Sequence, residues 1–284
     1  KAAYIDDYGD DETVQELDLT RRNRLMTFLR ELGVWHYRQG RKGARVSADF
    51  RRASRYLERW ASLHERYPTG NRFETPGLML LLAGDARHKA GESGMAMELY
   101  ERAAYASPPF PAAREAGYAL FQLRHDRWRA GNGAGNEKQL DRLVDDATRF
   151  VKTFRSSPRV PSVRHRLANI LYDNGRSGHA KRVARALVES GAAEHHRRAG
   201  WIVIGNVAQA NDAFETAEEA WDRVLSLTPD DDERRPEFRR RFAVSIYRQG
   251  EQAREAGRMQ EALDHFWRVT RVAPKTKVVI NAAF

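Results

Sequence analysis

Any chemistry in this 284-residue chain has to come from imidazoles, carboxylates, hydroxyls and guanidiniums, because it contains no cysteine. That excludes disulfides, Cys-ligated zinc and thiol nucleophiles. The nine histidines include no HExxH pair. His195 and His196 are adjacent, so on a helix they diverge by about 100° and are poorly placed to chelate one ion together. The stretch "TPDDDERRPEFRRRF" carries Asp230, Asp231, Asp232 and Glu233, but a calcium loop needs spaced oxygen ligands around a Gly turn. The acids are expected to face the positive N-terminus of the next helix, with Arg239, Arg240 and Arg241 on its exposed side. "GNGAGN" at 131–136 follows a helix and lacks the GxGxxG spacing of a phosphate cradle, so it reads as a loop. "GRSGH" and "GESGM" lack the frame of a nucleophile elbow and fall at turns. No nucleophile–base pair, metal set or cofactor site assembles, and the sequence is read as non-enzymatic, with no cofactor and no metal.

Charge offers a second kind of chemistry. Net charge is +10, and of the 49 basic residues 8 are Lys. Such an Arg excess is also what a GC-rich genome produces, so it sets the sign of a partner more than its identity. One cluster stands out: Arg38, Arg41, Lys42, Arg45, Arg51, Arg52, Arg55 and Arg59, near Trp35 and Tyr37. Interleaved aromatics and Arg can bind single-stranded nucleic acid. Core aromatics beside a solvated Arg face explain the pattern as well, and that reading is preferred. A polyanion-binding module acting through this cluster and residues 234–241 remains the alternative function.

The elements that would position these groups follow from a repeat. Pro68, Pro108, Pro158, Pro229 and Pro274 each close a helix-period segment. "FRRASRYLERWASLHERYP" places Phe50, Ala53, Leu57, Trp60 and Ala61 on one face and Arg51, Arg52, Arg55, Glu58 and Arg59 on the other. Three further segments share fixed offsets. A first helix carries Gly84, Gly205 or Gly250; a turn follows at Gly91, Asp212 or Gly257. A second helix then carries Ala96, Ala217 or Ala262, with Tyr100, Trp221 or Phe266 four residues on and a Pro eight later. Small residues let two antiparallel helices approach, the aromatic fills the space toward the next helix, and Pro ends the unit. A lone hairpin cannot bury its apolar faces, so such units must stack.

This pattern resembles the tetratricopeptide repeat (TPR) family: Trp201, Gly205, Ala208, Ala217, Trp221 and Pro229 stand at its Trp, Gly, small, Ala, aromatic and Pro positions. Residues 243–274 match it as well as this unit does, and 77–108 follow. Units 22–68, 112–158 and 161–190 depart further through loop insertions or a missing aromatic and Pro. The resemblance implies an all-α, right-handed α-solenoid (superhelix) of about six TPR-like hairpins with irregular loops. It also implies a concave surface, lined by first helices, that binds a protein or peptide. One turn from the packing positions, the groove residues would be Asp85, His88, Arg114, Tyr118, Phe121, His165, Asn169, Tyr172, Asn206, Gln209, Tyr247 and Arg254. The family's Lys–Asn carboxylate clamp is incomplete, since basic partners for Asn169 and Asn206 do not line up.

The expected organisation is an acidic lead-in at 1–20, repeats over 21–274 (22–68, 77–108, 112–158, 161–190, 198–229 and 239–274), and the start of a truncated helix at 275–284. That last segment and the missing initiator Met read as a fragment of a longer repeat protein. The segment "TRFVKTFRSSPRVPSVRHRLANILYDNG" is similar to bacterial envelope TPR proteins, and absence of Cys suits an oxidising compartment. The expectation is a protein-binding scaffold, periplasmic or outer-membrane-associated with cytoplasm as the alternative, whose partner is a protein or peptide and possibly acidic. Neither a nucleic-acid partner nor a membrane span is expected.

Overall fold

The computed structural model describes residues 1–43, 46–68, 75–105, 110–131 and 137–273. Pro108, Pro274, Arg45, most of the 131–136 loop and the 275–284 segment lie outside them. Among the described residues the secondary structure is entirely helical. The chain divides into two compact units, Lys1–Phe154 and Arg155–Phe284.

The first unit holds α1 (Ala2–Tyr8), α2 (Asp11–Glu16), α3 (Leu19–Gly40), α4 (Val46–Arg66), α5 (Pro76–Lys89), α6 (Ser93–Tyr105), α7 (Ala113–Ala130) and α8 (Glu137–Thr153). The second holds α9 (Val160–Asp173), α10 (Ser177–Val188), α11 (Glu194–Ala210), α12 (Phe214–Ser226), α13 (Arg235–Glu255) and α14 (Met259–Val272). From α3 to α8, and again from α9 to α14, each helix packs on the next in the chain. Each unit is therefore a stack of antiparallel hairpins, solenoid-fashion, with α1 set against α3.

Small residues facing aromatics set the spacing within the hairpins. A Cβ added at Gly84 would lie 2.8 Å from the Tyr100 ring, one at Gly205 2.8 Å from Trp221, and one at Gly250 2.6 Å from Phe266. Real Cβ atoms do not approach so closely, so only Gly lets these rings lie across the first helix. Two less regular units use the same contact: Gly40 against Phe50 at 2.9 Å, and Gly117 against Phe154 at 2.9 Å. In the α9–α10 hairpin the corresponding offsets carry Ala168 and Ala184, both fully buried, so a pair of small residues replaces Gly plus ring.

Polar contacts then fix the hairpins to one another. Ser54, on α4, is fully buried; its hydroxyl donates to the carbonyl of Ala83 and accepts from Arg87 Nε at 3.0 Å. Arg87 also binds Glu58 at 3.1 Å and Glu92 at 2.6 Å, and Arg51 completes the network on Glu92 at 2.6 Å. A guanidinium so enclosed persists because every face meets an acceptor.

The turns repeat a left-handed residue. Gly91, Gly175 and Gly257 have φ of 85°, 73° and 75°, and Asp212 takes the same place at 53°. Asp tolerates this region where a β-branched residue does not. We expect Asp212→Val to lower stability by about 1 kcal/mol or more, while Asp212→Gly stays within about 0.5 kcal/mol of the parent. Equal urea midpoints for the two variants would contradict this role for the turn.

Candidate partner-binding surfaces

First helices of neighbouring hairpins touch: α5 with α7, and α9 with α11. α13 joins α11 through side chains. Arg241 Nη1 donates to Asn206 Oδ1 at 2.7 Å, and Gln209 Nε2 donates to the Arg241 carbonyl and the Ser245 hydroxyl, both at 3.2 Å. The first-helix positions thus form a layer within each unit, but its members differ in what they can offer. Phe121 is fully buried and cannot touch a partner; it is core, correcting the sequence expectation, because its face of α7 turns into the unit. Asp85 accepts the Tyr100 hydroxyl at 2.6 Å, so it holds the aromatic that packs on Gly84. Asn206 and Gln209 are tied between helices. Arg241, expected on an exposed face, turns inward for the same reason; its Cζ lies 5.2 Å from the Trp221 ring centroid.

The other positions reach the surface. His88, Arg114 and Arg254 are exposed, while Tyr118, Asn169, Tyr172 and Tyr247 are half-buried. Tyr118 and Tyr247 rest on Phe150 and Phe266, with ring centroids 6.2 and 5.5 Å apart. Such tyrosines present an apolar body and a polar tip.

His165 belongs to a cluster with His195 and His196. The His165 and His196 rings lie 5.8 Å apart, and His195 and His196 only 4.0 Å. Adjacent imidazoles therefore meet despite their divergence along the helix, because rotation about the side-chain bonds in the first turn of α11 turns the rings together. Among the described residues no group of three or more His, Cys, Asp or Glu is arranged to hold a metal. Burial, reinforced by the neighbouring imidazoles, holds the His165 and His196 pKa values below the ordinary range.

The basic cluster is partly spent on structure. Arg59 donates through Nε and Nη2 to the Gly9 carbonyl at 3.1 and 2.6 Å, and pairs with Asp11 at 2.7 Å. Arg51 belongs to the Glu92 network. Arg38, Arg41, Lys42, Arg52 and Arg55 remain exposed. Trp35, 51% exposed, shares an open cleft with Arg38, Leu32 and Val34, so the aromatic expected in the core beside this cluster is largely at the surface.

Near residues 230–235, Asp232 accepts from Arg234 N–H at 2.9 Å and pairs with Arg198 at 3.0 Å. The Arg234 guanidinium and these bonds pull its carboxyl down to about 2. Asp230 pairs with Arg235 at 3.0 Å. The acids thus serve the entry to α13, mostly through Arg side chains.

One surface escaped the sequence reading. Met259, Leu263 and Trp267 on α14 are 61, 52 and 66% exposed. Their i, i+4, i+8 spacing is a sequence signal separate from Ala262 and Phe266, which carry the repeat on this helix.

Two outcomes test these assignments. His165 and His196 have folded pKa values below the unfolded value of about 6.5, so below that pH the unfolded chain takes up protons the fold refuses, and stability falls. Thermal unfolding between pH 7.5 and 5.5 should therefore show a smaller drop in Tm for His165→Gln/His196→Gln than for the parent; an unchanged drop would contradict the assignment. Arg59→Ala should speed amide exchange over residues 2–16 with little effect on α9–α14, and unchanged exchange there would show that Arg59 does not hold this segment.

No protein-family model and no curated protein matches the chain. Solved structures do. TPR-like repeats described as those of a Podosopora anserina kinesin light chain are 17% identical over 73% of this chain and 98% of that one, with a TM-score of 0.43. Pseudomonas aeruginosa PilF is 10% identical over 92% and 97%, at 0.38. The C-terminal part of a TPR repeat-containing protein from Cytophaga hutchinsonii is 12% identical over 92% and 99%, at 0.41. At such values the hairpin geometry of this chain itself carries the assignment. In fold, each of the two units is an all-α stack of helical hairpins, with small residues of the first helix packed on aromatics of the second.

Proposed function

We propose that this chain is a non-enzymatic scaffold that holds a partner protein or peptide against the first helices of its hairpins, within a bacterial envelope assembly. The observation that carries the reading is the layer of first helices within each unit, whose surface side chains are half-buried tyrosines beside polar and basic groups. Tyr and Arg are the residues that anchor protein interfaces, because they bury large area for little lost freedom. Tyr118, Tyr172 and Tyr247 are the proposed anchors, with His88, Arg114, Asn169 and Arg254 around them. The envelope location rests on the absence of cysteine and on the local similarity of residues 148–175 to envelope TPR proteins. No helix among the described residues is long and apolar enough to cross a membrane.

A second reading draws on Arg38, Arg41, Lys42, Arg52 and Arg55, which are exposed on α3, α4 and the turn between them and form no ion pair with a described residue. They could hold a polyanion, with affinity falling steeply as salt rises.

Affinity capture from native bacterial membranes with Tyr118→Ala, Tyr172→Ala and Tyr247→Ala should lose a partner that the parent retains. Retention of every partner by all three variants would refute the first-helix surface. Retention on heparin that collapses between low and high salt, and weakens when Arg52 and Arg55 are changed to Gln, would favour the polyanion reading instead.

A further inference from the structure

Away from the first-helix layer, a cleft of about 220 Å³ opens between α6, α7 and α8. Three guanidiniums line it, from Arg124, Arg127 and Arg142, against the two carboxylates of Glu98 and Glu101. Arg124 is already engaged: it lies 3.3 Å from Glu101 and 2.5 Å from Asp146. Glu101 also takes Arg149 at 3.1 Å. Arg127 and Arg142 differ. They come from different helices, face one cleft, are exposed, and form no ion pair with a described residue. Arg87, by contrast, enters a carboxylate network and is paired there with Glu58 and Glu92. Two unpaired guanidiniums directed at one space repel each other, and a bound anion would relieve both.

We propose that this cleft binds a single carboxylate on a short aliphatic stem, the side chain of a Glu presented by a partner protein, with Arg127 and Arg142 as its donors. The charge balance selects a monoanion. Counting Arg149 and Asp146, which pair into the same network, four cations face three anions and leave one positive charge over, whereas a phosphate dianion would also meet Glu98 and Glu101. The walls suit the stem. Met97 is 8% exposed and supplies an apolar surface. Gly94 leaves its side open, since a Cβ there would meet nothing within 4 Å. Arg forks match a carboxylate through charge-assisted hydrogen bonds. The cleft lies on second helices and the end of α7, so it gives a partner a point of attachment separate from the tyrosines.

Assigning the carboxylate to a protein rests on the scaffold reading; the preference for a monoanion does not. The test follows the arginine Nε–Hε signals of the full chain during titration with N-acetyl-glutamate N-methylamide. N-acetyl-glutamine N-methylamide and inorganic phosphate serve as comparison probes. The glutamate probe should give saturable shifts at Arg127 and Arg142, the glutamine probe none, and phosphate a weaker response. Arg127→Gln/Arg142→Gln should weaken binding about tenfold or more. Gly94→Leu should block the cleft without lowering the unfolding temperature, because Leu favours the helix and its Cβ has room. No saturable shift, equal binding of phosphate, or binding that survives both variants would overturn the site. If the glutamate probe binds but the double-Gln chain captures every partner as well as the parent, the protein side chain is overturned as ligand while the carboxylate site stands.

Discussion

Everything in this chain depends on how closely two antiparallel helices can approach. Where Gly205 faces Trp221, the ring lies against the backbone of the first helix, and no side chain larger than hydrogen fits between them. Trp221 is fully buried and its ring lies 6.1 Å from that of Phe238 on the following helix. One aromatic thus joins its own hairpin to the next. Dispersion and apolar burial over such contacts outweigh the cost of leaving the Trp221 indole N–H without a hydrogen-bond partner. The same device at Gly84–Tyr100 and Gly250–Phe266 explains why each hairpin must be stacked to be stable.

That constraint also decides which residues are free for recognition. A first helix spends its Gly and Ala face on its own second helix, and some polar side chains on its neighbours. Asn206, Gln209 and Asp85 are spent in this way. Tyr118, Tyr172 and Tyr247 keep a face toward solvent. The guanidiniums divide likewise: Arg59, Arg87 and Arg241 tie elements together, while Arg127 and Arg142 form no ion pair with a described residue at the cleft.

The repeat was legible because its signal is steric and local. Gly84, Gly205 and Gly250 sit sixteen residues before their aromatics, and that offset survives in any one sequence. The contacts of Gly40 with Phe50 and Gly117 with Phe154 were harder to read, because their separations differ and the connections between the helices are irregular. Asp212 shows the converse: the type differs from Gly91 and Gly257, yet the backbone does the same thing. The candidate surface was less legible. Helical phase places Phe121 and Tyr118 on nearby faces, but only packing shows that the first is enclosed and the second is not. Ion pairs across hairpins, such as Arg51 with Glu92 or Arg198 with Asp232, join residues 41 and 34 positions apart, beyond any local pattern. The cleft at Arg127 and Arg142 needs three helices in place before it exists.

The most direct measurement of this account is a double-mutant cycle on Gly205 and Trp221 by urea unfolding. Gly205→Leu should destabilise through overlap with the ring, and Trp221→Ala by about 3–5 kcal/mol through the cavity it leaves. Because the added Leu then enters that cavity, the double variant should be less destabilised than the sum of the two by about 1 kcal/mol or more. Additivity within about 0.5 kcal/mol would contradict the claim that this close approach holds the hairpin together.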